Sequence, residues 1–141
     1  MAIRNAEAKW EGSLREGRGS MKLGSGAYEG PFSFASRFEE GAGTNPEELI
    51  GAAHAGCFSM ALSGGLGRAG FTPKSIHTHA RVTLGRVDDK SRITEIHLSA
   101  EAVVPGISKE DFLKIAEETK TTCPVSAALT GVKITLDARL I

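Results

Sequence analysis

Two cysteines, Cys57 and Cys123, are the side chains of this sequence best suited to chemistry. Cys57 lies among small residues, and Cys123 directly precedes Pro124 at the predicted start of a helix. A thiol at a helix N-terminus is close to unpaired N–H groups and to the positive end of the helix dipole, which lower its pKa. Because the thiolate is the reactive species, a reactive pair would also need a nearby cation. The alternative is that both cysteines are buried as small hydrophobic residues.

Glu47 is a candidate to act with Cys57, because both lie on one stripe of a predicted helix together with His54. Glu47 and Cys57 are separated by roughly 15 Å along the helix axis, a distance that their side chains cannot span. A Glu47 carboxylate that helps a thiol must therefore reach the cysteine of a second chain, as in a two-fold dimer whose helices cross antiparallel. The alternative is that Glu47 acts only in capping the helix.

The first half of the chain is predicted to hold a meander and a long helix. The Gly-rich N-terminal third indicates antiparallel strands at 8–11, 19–23 and 32–38. Thr44 or Asn45 is predicted to cap a helix that runs from Pro46 to about Arg68. Its glycines, serines and histidine are unfavourable in a membrane span. Because the helix is apolar nearly all round, it needs neighbours on every side, which favours a dimer.

The second half is predicted to hold strands and two shorter helices. A helix capped by Ser108 is expected to end near Thr122, followed by a short helix from Cys123 to Leu129. Alternating patterns and turn signals predict strands at 75–84, 93–104 and 132–141, with a turn at 88–90. This order of elements describes one α+β domain that spans residues 1–141.

The composition excludes several classes of protein. The 17 basic and 17 acidic residues balance, so there is no basic footprint for nucleic acid or an anionic membrane. The N-terminal residues lack the apolar segment of a signal peptide, and two cysteines are too few for a disulfide scaffold. We therefore expect a cytoplasmic protein in which any disulfide is transient or catalytic.

Three segments resemble the OsmC and organic hydroperoxide resistance superfamily. They are FASRFE at 34–39, GTNPEELIGAAHAGCFSMALS at 43–63 and CPVS at 123–126. The resemblance extends over nearly the whole chain and is greatest to the OsmC branch. It implies an OsmC-like α+β fold with antiparallel sheets and a long central helix. It also implies an intertwined homodimer with active sites at the subunit interface.

The same resemblance implies a thiol peroxidase that reduces organic hydroperoxides in stress defence. By the family pattern, Cys57 is the peroxidatic nucleophile and Cys123 the resolving thiol, while Arg37 stabilises the Cys57 thiolate and Glu47 orients Arg37. Cys57 sulfenic acid would condense with Cys123 to an intramolecular disulfide, which an external dithiol would reduce. No metal, haem, flavin or other cofactor is expected. Apolar side chains expected to favour alkyl hydroperoxides are Phe38, Ile50, Phe58 and Met60.

Three other functions remain open from the residues alone. His54 with Cys57, or His77 with His79, can be proposed as metal ligands, although no zinc-binding spacing is present. We expect His77 and His79 on a solvated strand face and His54 packed with one hydrogen bond. A Cys–His hydrolase would need an imidazole within hydrogen-bond reach of a thiol. The third alternative is a non-enzymatic, stress-related binding protein with structural thiols.

Overall fold

Strands and helices follow one another in an α+β order, and the computed structural model describes all residues from Met1 to Ile141. The chain divides into two compact units, Met1–Leu49 and Ile50–Ile141. Each unit contains one three-stranded sheet. The elements are β1 (Ala6–Glu11), β2 (Arg18–Leu23), β3 (Glu29–Phe32), α1 (Phe34–Phe38), α2 (Pro46–Arg68), β4 (Ser75–Val87), β5 (Lys90–Val103), α3 (Lys109–Thr122), α4 (Pro124–Ala128) and β6 (Lys133–Leu140).

The first unit is built on the predicted antiparallel meander, in the order β1-β2-β3. Gly19 lies opposite Trp10 on one side and opposite Phe32 on the other. A Cβ atom at Gly19 would lie only 2.5 Å from the Phe32 ring. The absence of a side chain there lets the rings of Trp10 and Phe32 approach to a centroid distance of 5.3 Å.

The strand predicted at 32–38 is wrong beyond Phe32, because residues 34–38 form the short helix α1. Ser33 and Ser36 form a reciprocal capping box, in which each side chain accepts a hydrogen bond from the backbone N–H of the other. The Ser36 hydroxyl also donates to the Thr44 carbonyl oxygen at 2.7 Å. These hydroxyl contacts outweigh the strand preference of the aromatic residues in this segment.

Helix α2 has the predicted bounds, and Asn45 is its cap. The Asn45 side-chain oxygen accepts from the Glu48 N–H at 2.8 Å, which satisfies one of the free N–H groups of the first turn. By length and composition alone α2 could cross a membrane. However, Phe58, Leu62 and Leu66 are fully buried in the core of the second unit. The opposite side of the helix is uncovered in the single chain, where Met60 is 79% exposed.

The second unit holds a mixed sheet in the order β4-β5-β6. β4 and β5 pair as an antiparallel hairpin about the predicted turn, and each strand is longer than expected. Asp88 and Asp89 occupy its two-residue turn with φ of 50° and 59°, as in the primed turns that match strand twist. β6 pairs parallel to β5, which departs from the expected antiparallel sheets. The chain between them crosses over through α3 and α4, and a crossover connection joins parallel strands.

The core of the second unit lies between this sheet and the helices α2 and α3. Ile96, Leu98, Ala100 and Ala102 alternate along β5 and are buried. Phe112 and Ala116 of α3 join the same cluster as the buried stripe of α2. This packing determines which face of α2 lies against the sheet. It therefore also sets the orientation of the side chains at positions 54–58.

A matched pair of leucine substitutions tests this core. Leu62→Ala should lower the free energy of unfolding by about 3 kcal/mol, because it removes a fully buried side chain and leaves a cavity. Leu113→Ala, at a side chain that is 38% exposed, should cost less than about 1 kcal/mol. Denaturant unfolding at one protein concentration measures both. Equal losses for the two variants would contradict the assigned core.

Candidate active site

Cys123 lies at the junction of α3 and α4 and caps both helices. Its backbone N–H donates to the Thr119 carbonyl oxygen at 3.0 Å, and its Sγ accepts from the Ser126 N–H at 3.4 Å. Pro124 follows in the first turn of α4, where its missing N–H is not needed. The Cys123 side chain is fully buried. The sequence therefore correctly placed this thiol at a helix start.

Cys57 lies in the middle of α2 and interacts with Cys123. Both cysteines are free thiols, Cys57 partly buried and Cys123 buried. The two thiols lie near enough for each to shift the pKa of the other, and the Val125 N–H lowers the pKa of both. Two sulfurs far apart in the sequence are thus neighbours within the second unit. Proximity of this kind is the first requirement for a disulfide between them.

The environment of the second unit favours ionisation of Cys123 over ionisation of Cys57. Burial raises the pKa of the Cys57 thiol above its usual value, and the interaction with Cys123 raises it further. Burial also acts to raise the pKa of Cys123, but hydrogen bonds from Ser126 and Cys57 bring it below the usual value of a thiol. The lowered pKa at the helix start agrees with the sequence-based expectation for Cys123.

His54 is a buried titratable group close to the Cys123 sulfur. Its Nε2 lies 2.7 Å from the Ser126 Oγ, and this Oγ lies 3.3 Å from the Cys123 Sγ. The His54 ring is fully buried, and its Nδ1 has no hydrogen-bond partner. Burial lowers the pKa of His54, so the imidazole is neutral near pH 7. The prediction of a packed histidine with one hydrogen bond is confirmed.

Arg37 and Glu47 form an ion pair within the first unit. The Arg37 Nη2 donates to the Glu47 Oε1 at 2.8 Å, and the Nε lies 3.2 Å from the same oxygen. The Glu47 side chain is only 9% exposed, whereas that of Arg37 is 37% exposed. Glu47 therefore holds the guanidinium from the buried side, which leaves the rest of the Arg37 head available to another group. The capping box of α1 and the cap of α2 fix the two backbone segments.

An apolar cavity of about 230 Å³ adjoins Arg37 in the first unit. Of the side chains expected to favour alkyl groups, only Phe38 lines it. Phe58 is a core residue of the second unit instead. The remaining lining residues were not predicted as site residues, although all except the serine are aromatic or apolar: Trp10, Leu14, Phe32, Ser33 and Phe34.

The four expected site residues fall in two pairs. Arg37 and Glu47 belong to the first unit, and Cys57 and Cys123 belong to the second. The expected action of Arg37 on Cys57 stays a prediction. Of the other candidates, His77 and His79 are exposed on their strand, as expected. No group of three or more His, Cys, Asp or Glu side chains is arranged to hold a metal ion.

Comparison with known proteins identifies the family. Residues 39–137 match the model of a family described as OsmC-like protein. The chain belongs to the OsmC family. It is 51% identical over 138 residues to Peroxiredoxin OsmC of Escherichia coli (strain K12), which covers 97% of this chain and 96% of the relative. The protein of the same name from Shigella flexneri gives the same values.

Solved structures show that the fold is OsmC-like. An organic hydroperoxide resistance protein OsmC from Legionella pneumophila is similar over 100% of both chains, with a TM-score of 0.75 and 21% identity. An organic hydroperoxide resistance protein from Elizabethkingia anophelis covers 99% of both chains, with a TM-score of 0.74 and 22% identity. At these identities the similarity establishes the fold of this OsmC-family chain, which agrees with the expected fold family.

Proposed function

We propose that this OsmC-family chain is a cysteine-based peroxidase that reduces organic hydroperoxides to alcohols. The observation that carries the proposal is the proximity of two free thiols, Cys57 within α2 and Cys123 at the cap of α4. It is supported by 51% identity to a protein named a peroxiredoxin. Such an enzyme is an oxidoreductase, and its place is in the defence against oxidative and osmotic stress.

The reaction has two steps on the protein. The Cys57 thiolate attacks the distal oxygen of the hydroperoxide, the O–O bond breaks, and the alkoxide takes a proton and leaves as the alcohol. Cys57 is then a sulfenic acid. The Cys123 sulfur attacks the Cys57 sulfur, which forms the disulfide and releases the hydroxyl group as water. An external dithiol restores both thiols by exchange, so that no further cofactor is needed.

The first step needs a cation at Cys57, because its surroundings in the second unit raise its pKa. Arg37 supplies this cation, and Glu47 orients the guanidinium through the ion pair of 2.8 Å. Since Glu47 and Cys57 are separated by about 15 Å along α2, the pair that serves Cys57 belongs to a second subunit. The enzyme is thus a homodimer with two sites, each built from both chains.

The uncovered face of α2 supports the dimer. Met60 is 79% exposed, and the small residues Ala52, Ala53, Gly56 and Gly64 are exposed on the same helix. Small side chains let another backbone approach closely, and an apolar helix face is stable in water only when it is covered. A second copy of the chain would cover it in an isologous contact.

The apolar cavity beside Arg37 is the proposed site for the alkyl part of the hydroperoxide. Its volume of about 230 Å³ suits a small organic group. Its lining is mostly aromatic, and the Arg37 guanidinium, 5.4 Å from the centre of the Phe38 ring, lies at its edge. A hydroperoxide with an apolar tail would therefore bind better than hydrogen peroxide.

The compartment and the domain organisation complete the proposal. Two free thiols that cycle through a disulfide require a dithiol supply, as in the reducing cytoplasm. The family match from 39 to 137 extends across both compact units. We therefore treat residues 1–141 as one functional domain.

Steady-state assays with an alkyl hydroperoxide and a dithiol test the proposed activity. Cys57→Ser should abolish peroxide loss, because it removes the nucleophile. Cys123→Ser should lose activity within a few turnovers, because a second equivalent of hydroperoxide oxidises the unresolved Cys57 sulfenic acid to the sulfinic acid. A chelator should have no effect, whereas inhibition by it would favour a metal site. Peroxide loss that is unchanged in Cys57→Ser would contradict the peroxidase and favour a binding protein with structural thiols.

Two heterodimers that carry the same pair of substitutions test the shared site. One joins a Cys57→Ser subunit to an Arg37→Met subunit, and it should retain about half of the wild-type activity per dimer. The other joins a wild-type subunit to a subunit with both substitutions. Its activity should be at least about tenfold lower than that of the first heterodimer, because its only Cys57 faces a subunit without Arg37. Differently tagged subunits allow each heterodimer to be purified. The reverse order of activities would place Arg37 and Cys57 of one chain in one site.

A further inference from the structure

Two buried side chains next to the resolving sulfur, those of His54 and Ser126, have no part in the proposed mechanism so far. His54 of α2 and Ser126 of α4 hydrogen-bond to each other, and Ser126 also contacts Cys123 through both its hydroxyl and its backbone N–H. All three residues are at least nine-tenths buried. A neutral imidazole with a single hydrogen-bond partner inside a core is costly in free energy, and here one residue, Ser126, links it to the sulfur that must attack Cys57.

We propose that His54 and Ser126 form a hydrogen-bond relay that orients and activates Cys123 for its attack on the Cys57 sulfenic acid. His54 and Ser126 are positioning residues, because they act through Cys123 and touch neither the hydroperoxide nor its oxygen atoms. The inference rests on the proposed function, since it concerns the second step of that reaction.

The direction of the relay follows from the tautomer of His54. A proton on Nδ1 would be a buried donor without an acceptor, and buried N–H groups without partners are rarer in proteins than unsatisfied acceptors. The proton therefore belongs on Nε2, which donates to the Ser126 Oγ across 2.7 Å. The Ser126 hydroxyl hydrogen is then free to point at the Cys123 Sγ, 3.3 Å away.

Cys123 consequently receives two donors from one residue. The Ser126 hydroxyl and the Ser126 N–H both reach its sulfur, at 3.3 Å and 3.4 Å. Hydrogen bonds to the charged form stabilise a thiolate and hold its remaining lone pairs in a fixed direction. The Cys123 sulfur is thus held in a fixed direction, and its thiolate form is favoured, before Cys57 is oxidised.

The step that the relay serves is balanced without any other reactant. The Cys123 thiolate forms the S–S bond, the S–O bond of the Cys57 sulfenic acid breaks, and the hydroxide that leaves takes a proton and becomes water. The two-electron oxidation carried by Cys57 is afterwards shared between the two sulfurs. Fast closure of this disulfide protects Cys57 from oxidation to the sulfinic acid.

The first test measures the thiolate itself. In a Cys57→Ser background, absorbance at 240 nm reports the titration of Cys123 alone. Ser126→Ala and His54→Leu should each shift its midpoint upward by about one pH unit, a tenfold loss of thiolate at a given pH. His54→Gln, which keeps an N–H donor near the Nε2 position, should show little of this shift and titrate close to the Cys57→Ser reference. This measurement uses no peroxide, so it remains valid if the proposed function fails.

The second test measures the closure of the disulfide in the protein with both cysteines. After one equivalent of an alkyl hydroperoxide, Ser126→Ala and His54→Leu should close the disulfide about tenfold more slowly, and sulfenic acid should accumulate for trapping by dimedone. His54→Gln should close it at nearly the wild-type rate. Thr135→Val is the matched control, because it removes a similar hydroxyl contact of 2.6 Å to His97 on the sheet.

The outcomes separate the relay from a purely structural role. Rescue by His54→Gln, together with both shifts, supports the relay. Closure at the wild-type rate in folded Ser126→Ala overturns it, as does a slow rate in Thr135→Val equal to that of Ser126→Ala. Failure of His54→Gln to rescue either readout assigns His54 to packing alone. A wild-type protein that forms no sulfenic acid contradicts the proposed function instead.

Discussion

The interaction between the Cys57 and Cys123 sulfurs depends on the junction of two helices. α3 ends and α4 begins at Cys123, so that this one residue satisfies a carbonyl of the first helix and an N–H of the second. The geometry of that turn directs its sulfur toward α2, whose register is in turn fixed by the burial of Phe58, Leu62 and Leu66. A change in either the junction or the helix packing would separate the two thiols. The proposed disulfide could then not form.

The two thiols differ in pKa already in the free protein. Within the second unit, hydrogen bonds lower the pKa of Cys123, while burial raises the pKa of Cys57. This ordering suits the resolving step but opposes the first attack on the hydroperoxide. In the proposed dimer, Arg37 of the second subunit would place a permanent positive charge beside Cys57 and so lower the pKa of this thiol. The nearly buried Glu47 holds that guanidinium in place. On this account a lone subunit would hold the resolving thiol ready and the peroxidatic thiol inactive.

Much of the fold could be predicted from the sequence, and the exceptions have physical causes. The caps at Asn45 and Ser108 and the alternation in β4 and β5 are local signals that the structure follows closely. The strand expected at 32–38 failed because the Ser33–Ser36 capping box depends on two hydroxyls that a hydrophobic pattern does not reveal. The contact of His54 with Ser126 could not be predicted, because it joins residues far apart in the sequence and only tertiary packing brings them together. The pairing of β6 parallel to β5 was missed for the same reason.

The identity of the sulfurs that react is the central claim, and peptide mapping after a single turnover tests it most directly. Reduced protein would be mixed with one equivalent of an alkyl hydroperoxide per subunit, blocked, digested without reductant and analysed by mass spectrometry. We expect one equivalent of alcohol and a disulfide that joins the Cys57 and Cys123 peptides of the same chain, which isotopic labelling of half the subunits would establish. Unreacted hydroperoxide with both thiols intact, or a disulfide between chains, would contradict it.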